Sequence, residues 1–358
     1  MVRLTFVGDL FPANLPYNRN CGVASLNFDE LHRPNYVRLL RRIVDNNSLF
    51  IGNLEAPILF ETEFSKEMQF AGHPDFLRML KDAGINLLSL ANNHILEHQL
   101  SGLRSTERML QQENISYIGT IDEKGNSKVE VIEKNGLRIA FVAYNAIDNQ
   151  KCERGAICTY DFKIIKDDIL KLKHQEIDYL IIMLHWGDEY IHRPSPTQIE
   201  HARAFIDLGA DFVVCSHPHV VQPVEEYHGG LICYSLGNFV FDMTIPKSAK
   251  TGMVVYLDLS KKGFIHHERF VQLQENFFPA IIEDDQEVRQ LLDTQKLMMN
   301  QWQSCEYVKA YDKEKKNKRL KKRVAEKFLL FKNWGKYTPA IRQEFIHYYV
   351  DIFKHGKS

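Results

Sequence analysis

Val213-Val214-Cys215-Ser216-His217-Pro218-His219, written VVCSHPH, is an apolar run that stops abruptly and gives way to two imidazoles with a proline between them. The run reads as a buried strand. A solvated loop has no special need of paired histidines, whereas a metal ion does. In an open α/β sheet, ligands gather at the carboxyl ends of the strands. The residues after the other apolar runs therefore decide whether these histidines have company.

The pattern recurs along the chain. Short runs rich in β-branched and aromatic residues occupy 4–7, 49–51, 87–90, 139–143, 179–184, 212–215 and 231–234. Most end in polar groups: Gly8-Asp9, Gly52-Asn53-Leu54-Glu55, Ala91-Asn92-Asn93-His94, His185-Trp186-Gly187-Asp188-Glu189, Ser216-His217-Pro218-His219 and Ser235-Leu236-Gly237-Asn238. Helical spacing separates many of them, at 35–44, 74–83, 101–111 and 196–208, with Gly84 and Gly209 placed as C-caps. Strand alternating with helix predicts a mostly parallel sheet covered by helices. The stretches 134–143 and 253–259 read as hairpin strands and predict a second sheet.

The 358 residues carry a formal net charge of -1, with 44% apolar and 25% charged residues, so the whole chain is not a polyanion binder. Its six cysteines include no CxxC pair and suggest no disulfide framework. The N-terminus runs straight into a strand pattern without the features of a signal peptide, and no apolar run reaches membrane-spanning length. The expected location is the cytoplasm. Beyond about residue 275 the pattern turns helical, at 286–299, 301–332 and 339–353. Within it the stretch from Lys313 to Arg323 (KEKKNKRLKKR) is strongly basic. It reads as a solvated helix face or as a weak contact with an anionic surface, peripheral to an inner membrane, with Phe328, Phe331, Trp334 and Tyr337 close by. Nucleic acid is not an expected partner. The chain therefore divides into a domain over 1–275 and a helical extension over 276–358.

Carboxylate, carboxamide and imidazole are ligands of intermediate hardness that suit Mn, Fe, Zn or Ni. A two-metal centre needs a bridging carboxylate and around six protein ligands. Asp9, Glu55, Asn93, His185, His217 and His219 are the candidates for one or two divalent ions. His94 is left over as a general acid for a leaving alkoxide. Asn53, Asn92, Trp186, Glu189 and Asn238 are candidates to line the pocket. Taken singly, each has a plainer use: Asp9 as a turn or cap residue, the asparagines in left-handed turns, His185 as a satisfied strand-end histidine. The chain has no G-x-S-x-G, no Walker or G-x-G-x-x-G loop and no H-E-x-x-H, which disfavours a serine hydrolase, those nucleotide-binding folds and a zincin protease.

The motifs VGDLFP, GNLEAPI, SLANNHILEHQLSGL, the long LHWGDEYIHRPSPTQIEHARAFIDLGADFVVCSHPHVVQPVEEY and YSLGNFVFD, between Arg3 and Asp242, resemble the bacterial capsule-synthesis CapA family, the poly-gamma-glutamate synthesis accessory proteins. That family looks like a branch of the calcineurin-like metallophosphoesterases. The resemblance implies a four-layer αββα fold: a sandwich of two mixed sheets flanked by helices, rather than a single doubly wound sheet. It places the family's Asn-His on Asn93 and His94, its single histidine on His185, its His-x-His on His217 and His219, and its first aspartate on Asp9. Phe11 stands where an Asp-x-His pattern has histidine, and Glu55 stands for the bridging aspartate. The implied function is a metal-dependent, phosphoesterase-like hydrolase acting on an anionic polymer or phosphorylated substrate beside capsule-synthesis proteins. Two alternatives stay open: an amide-bond hydrolase or accessory acting on polyglutamate, and a non-catalytic scaffold with a vestigial metal site.

Overall fold

A computed structural model describes residues 1–18, 21–45, 47–60, 70–147 and 156–337, with a few positions beyond; the side chains of 318–326 and 336 lie outside the description. The helix expected at 339–353 and most of the basic side chains up to Arg323 therefore fall outside the described residues.

Two mixed sheets face each other. In the first, β1 (Val2–Leu10), β2 (Leu49–Leu54), β3 (Ile85–Ser89) and β4 (Ser116–Ile118) run parallel. Antiparallel β12 (Thr251–Ser260), β13 (Gly263–Leu273) and β14 (Pro279–Ile281) extend it from the other edge of β1. In the second, β6 (Leu137–Asn145), β7 (Tyr179–His185), β8 (Phe212–Ser216) and β10 (Gly230–Cys233) run parallel, flanked by antiparallel β5 (Glu130–Lys134) and β9 (Val224–Tyr227). The chain is thus a sandwich, and of the two hairpin stretches expected to form the second sheet only one lies in it. The stretch 134–143 is a hairpin of the second sheet, whereas 253–259 belongs to the first. Period-2 patterning reports which residues are buried but not which sheet buries them.

Side-chain alternation builds three apolar layers. Phe6, Ile51 and Val255 from the first sheet meet Phe141, Ile181, Phe212 and Val214 from the second between the sheets. On the outer face of the first sheet, Val7, Phe50 and Leu88 pack under α1 (Arg33–Leu40), α2 (Pro74–Ala83) and α3 (Gln99–Gln112). On the outer face of the second, Val142, Ile182 and Val213 pack under α4 (Phe162–Lys173), which periodicity missed, and α5 (Pro196–Asp207). The helix α2 shows how local rules set its ends. His73 accepts from the Asp75 N–H at the N-cap, Pro74 takes the first turn, and Gly84 closes the helix at φ 101°. Its Phe76, Leu77, Met79 and Leu80 are buried, each worth about 1.5–3 kcal/mol of transfer free energy.

The C-terminal helices α6 (Asp285–Gln301) and α7 (Cys305–Lys332) lie against this body. Val288 and Leu291 of α6 join the inter-sheet core, and Met298, Trp302 and Tyr307 join the core under α5. Of the nearby aromatics, Tyr337 is buried and Trp334 packs beside it, while Phe328 and Phe331 face outward. No helix among the described residues is long and apolar enough to cross a membrane.

One polar bridge ties the two sheets together at their surface. His266 on β13 contacts Glu268 on its own strand at 2.7 Å and Glu226 on β9 at 2.8 Å. The Glu268 bond, opposed by burial and aided by Glu226, holds its pKa up to about 9. Because the folded value exceeds the ordinary His value, this stabilisation is complete below about pH 6.5 and is lost as pH rises through about 9. The melting temperature is expected to fall between pH 7 and 9.5, and His266→Gln should remove that part of the slope. An unchanged slope would overturn the assignment.

Candidate metal centre

The ends of β1, β2, β3, β7 and β8 converge on one rim. Asp9 stands opposite Asn53 on β2 and opposite Asn238 on the short strand β11 (Asn238–Val240), which replaces β12 as the neighbour of β1 at this end. That approach is close: a Cβ on Gly8 would lie 1.8 Å from the Gly237 carbonyl oxygen, so only glycine fits there. His217 and His219 both adopt left-handed backbone, at φ 97° and 56°. Such conformations are costly for residues with side chains and are retained where surrounding structure imposes them.

Two sets of side chains bring ligand atoms within 4.8 Å of one another: Glu55, His185 and His217, and Asp9, Glu55 and His219. All five residues are buried, and Glu55 is common to both sets. The His185 Nε2 lies 2.8 Å from Asn93 Oδ1, 3.2 Å from His217 Nδ1 and 3.6 Å from Glu55 Oε1. One nitrogen carries at most one proton and cannot satisfy three such neighbours, whereas a cation among them would. The other side of each ring is anchored. His185 Nδ1 meets Ser216 Oγ at 3.0 Å, and His219 Nδ1 meets Asn238 Oδ1 at 2.9 Å. This is the outer support that fixes the tautomer of metal-ligating histidines.

The electrostatics agree. Neither Glu55 oxygen accepts a hydrogen bond, although the side chain is 0% exposed. Burial, with the like charges of Asp9 and Glu189, pushes its pKa well above the carboxylate range. Burial holds His185 well below the usual imidazole value, with His217 and His219 as adverse neighbours. Burial likewise pushes His217 down to about 4. Burial keeps these imidazoles neutral, as metal ligation requires, whereas Glu55 would give up its proton to a cation bound there.

The structure gives each remaining candidate a place. Asn53 donates to Asp9 Oδ1 at 2.8 Å and accepts from Asn92 at 3.2 Å. Asn92 also donates to the Leu54 carbonyl, and its Oδ1 accepts from the N–H of His94 and Ile95. These asparagines and Asn238 are buried framing groups of the rim. Glu189 is half-buried and its charge reaches Glu55 and His217. Trp186 is not brought to the centre. Alternation along the chain turns it away from His185, into the core under α5 beside Tyr160. Phe11 is fully buried, stacked on Phe241 at 4.4 Å, so its position is a packed aromatic slot.

His94 is partly open, its side chain 23% exposed, and its Nδ1 lies 2.9 Å from Glu97 Oε1. Sequence reasoning missed Glu97. Its signal was the i, i+3 spacing to His94, which places the two within reach on a helical turn. Asn93 Nδ2 approaches the other ring nitrogen, Nε2, at 3.0 Å.

Fold and site together define an αββα sandwich with a buried histidine–carboxylate centre of metal-ligand composition at one rim. Residues 3–243 match the family described as bacterial capsule synthesis protein PGA_cap, and the chain belongs to that family. It is 31% identical over 228 residues to the capsule biosynthesis protein CapA of Bacillus anthracis, covering 59% of this chain and 54% of that one. It is 30% identical over 221 residues to the PGA biosynthesis protein CapA of Bacillus subtilis (strain 168), covering 59% and 58%. The chain thus spans little more than half the length of the curated relatives it matches. Among solved structures, the calcineurin-like phosphoesterase YfkN from Bacillus subtilis aligns with a TM-score of 0.47 at 14% identity, over 86% of this chain and 99% of that one.

Proposed function

We propose that this chain is a divalent-metal hydrolase of phosphoesterase type that serves the synthesis of an anionic surface polymer. The observation that carries the reading is Glu55, a buried carboxylate without a hydrogen bond that belongs to two overlapping ligand sets. Glu55, Asn93, His185 and His217 would hold one ion; Asp9, Glu55 and His219 would hold the other with one protein ligand fewer. Their mixed nitrogen and oxygen character suits Mn, Fe, Zn or Ni. Ions held there would supply a Lewis acid for a phosphoryl oxygen and activate water at neutral pH. The chain's own residues do the rest. His94 serves as the general acid for the leaving oxygen, and Glu97, at Nδ1, orients the ring. Asn238 and Ser216 hold His219 and His185 in their ligating orientations. The link to a capsule or polyglutamate polymer is supported by the family and by the printed names of the relatives.

Phe11 favours a second reading, a scaffold with a weakened centre, because an aromatic slot stands where a further imidazole would complete the three-ligand set. Elemental analysis of protein purified without a chelating tag separates the two. One or two equivalents of Mn, Fe, Zn or Ni are expected, with almost none left in His217→Ala/His219→Ala. Wild-type protein that stays metal-free after reconstitution would put the scaffold first. Assays on phosphomonoesters and phosphodiesters beside poly-gamma-glutamate then distinguish phosphoester from amide hydrolysis.

A further inference from the structure

We propose that α7, which lies beyond the family match, is a working part of this centre: Tyr311 and Lys315 are positioning residues that act through Asp188. They hold the loop 186–194 against the ligand turn His217-Pro218-His219. The inference rests on the metal reading for what the turn binds, but not for the clamp itself.

The loop leaves β7 directly after His185. It contains Gly187 at φ 102° and Tyr190 at φ 64°. A tyrosine in left-handed backbone is held there by its surroundings, not by its own preference. Contacts from the side of the centre include two hydrogen bonds. The Tyr190 N–H donates to the Pro218 carbonyl, between the two histidines, at 2.8 Å, and Gln222 Nε2 donates to the Ile191 carbonyl at 2.8 Å. Further contacts come from α7. The Tyr311 hydroxyl donates to Asp188 Oδ2, and Lys315 Nζ lies 2.7 Å from the same oxygen. Glu314 accepts from the His192 N–H at 3.3 Å and pairs with Arg193 at 3.4 Å. The Tyr307 hydroxyl donates to the Pro194 carbonyl at 2.8 Å. Tyr307, Tyr311, Glu314 and Lys315 keep the i, i+4, i+7, i+8 spacing of one helix face.

A short path therefore runs from α7 to the ligands: Tyr311 and Lys315 to Asp188, two residues along to Tyr190, then across one hydrogen bond to Pro218. A partly exposed ion pair contributes little to global stability. The effect of the clamp on loop geometry is thus separable from its effect on folding.

The test uses the full chain with Tyr311→Phe, Lys315→Met, both together, Lys315→Arg as the conservative replacement, and Lys309→Ala on an exposed part of α7 as control. Amide exchange at residues 188–192 is expected to rise about tenfold in the double variant, with little change in melting temperature. Affinity for Mn or Zn, read by competition with a chromophoric chelator, is expected to fall about 10-fold or more, the size found for groups that orient metal ligands. Lys315→Arg should restore most of both. Unchanged exchange at 188–192 overturns the clamp, and faster exchange with unchanged metal affinity overturns its coupling to the ligands. If wild-type protein binds neither metal, the metal reading fails and the coupling with it, while the exchange result still decides the clamp.

Discussion

Glu55→Gln is expected to abolish metal binding at both ligand sets and, in metal-free protein, to raise the melting temperature. The two signs have one cause. Glu55 is 0% exposed, neither oxygen accepts a hydrogen bond, and Asp9 and Glu189 add like charge around it. A buried polar atom without a partner costs about 1–3 kcal/mol, and a charged one more. In metal-free protein a neutral amide relieves part of that cost, so a gain of order 1 kcal/mol is expected. In metal-loaded protein the same change removes a ligand from both sets at once, because Glu55 is their common member. Calorimetric melting with and without added Mn or Zn reads both effects. Wild-type protein should gain stability with metal and the variant should not. A variant less stable than wild type under chelating conditions would mean that Glu55 already has adequate partners, and the shared-ligand reading would lose its main support.

His94→Gln is expected to leave metal content intact and to lower kcat by about 10²–10⁴-fold, the usual contribution of a positioned general acid. His94 lies outside both metal-ligand sets, is partly open to solvent and is braced by Glu97. If it protonates the leaving oxygen, its loss must depend on the leaving group. A p-nitrophenyl phosphoester, whose leaving oxygen needs little help, should lose much less than an alkyl ester. Equal losses on both would assign His94 to binding or to ordering Asn93, whose amide approaches it at 3.0 Å. Glu97→Gln should show the same leaving-group dependence with a smaller loss, since it acts only through His94.

The residue types of the centre were legible because strand ends are marked locally. An apolar run ending in Asp9, in Asn53 and Glu55, or in His217 and His219 announces itself within ten residues. Helix α2 was read to its ends for the same reason, since Pro74 and Gly84 act on their immediate neighbours. Trp186 shows where that logic stops. It comes after a strand like the others, but alternation turned it into the core under α5. Asn53, Asn92 and Asn238 were legible as members of the rim, yet their hydrogen bonds to Asp9, to backbone and to His219 were not.

By itself the sequence determined which residues carry ligand chemistry, where most strands and helices lie, and the family motifs that imply a sandwich. Only the tertiary structure decided that Glu55 is common to two groups that could hold a metal ion, that Phe11 fills an aromatic slot, and that α7 reaches back to Asp188 across 123 positions. Hydrophobic period and capping act over a few residues and state which face is buried. The partner of that face depends on strand order and on the pairing of elements far apart in the chain. Those are settled only when the two sheets and the C-terminal helices pack as one body.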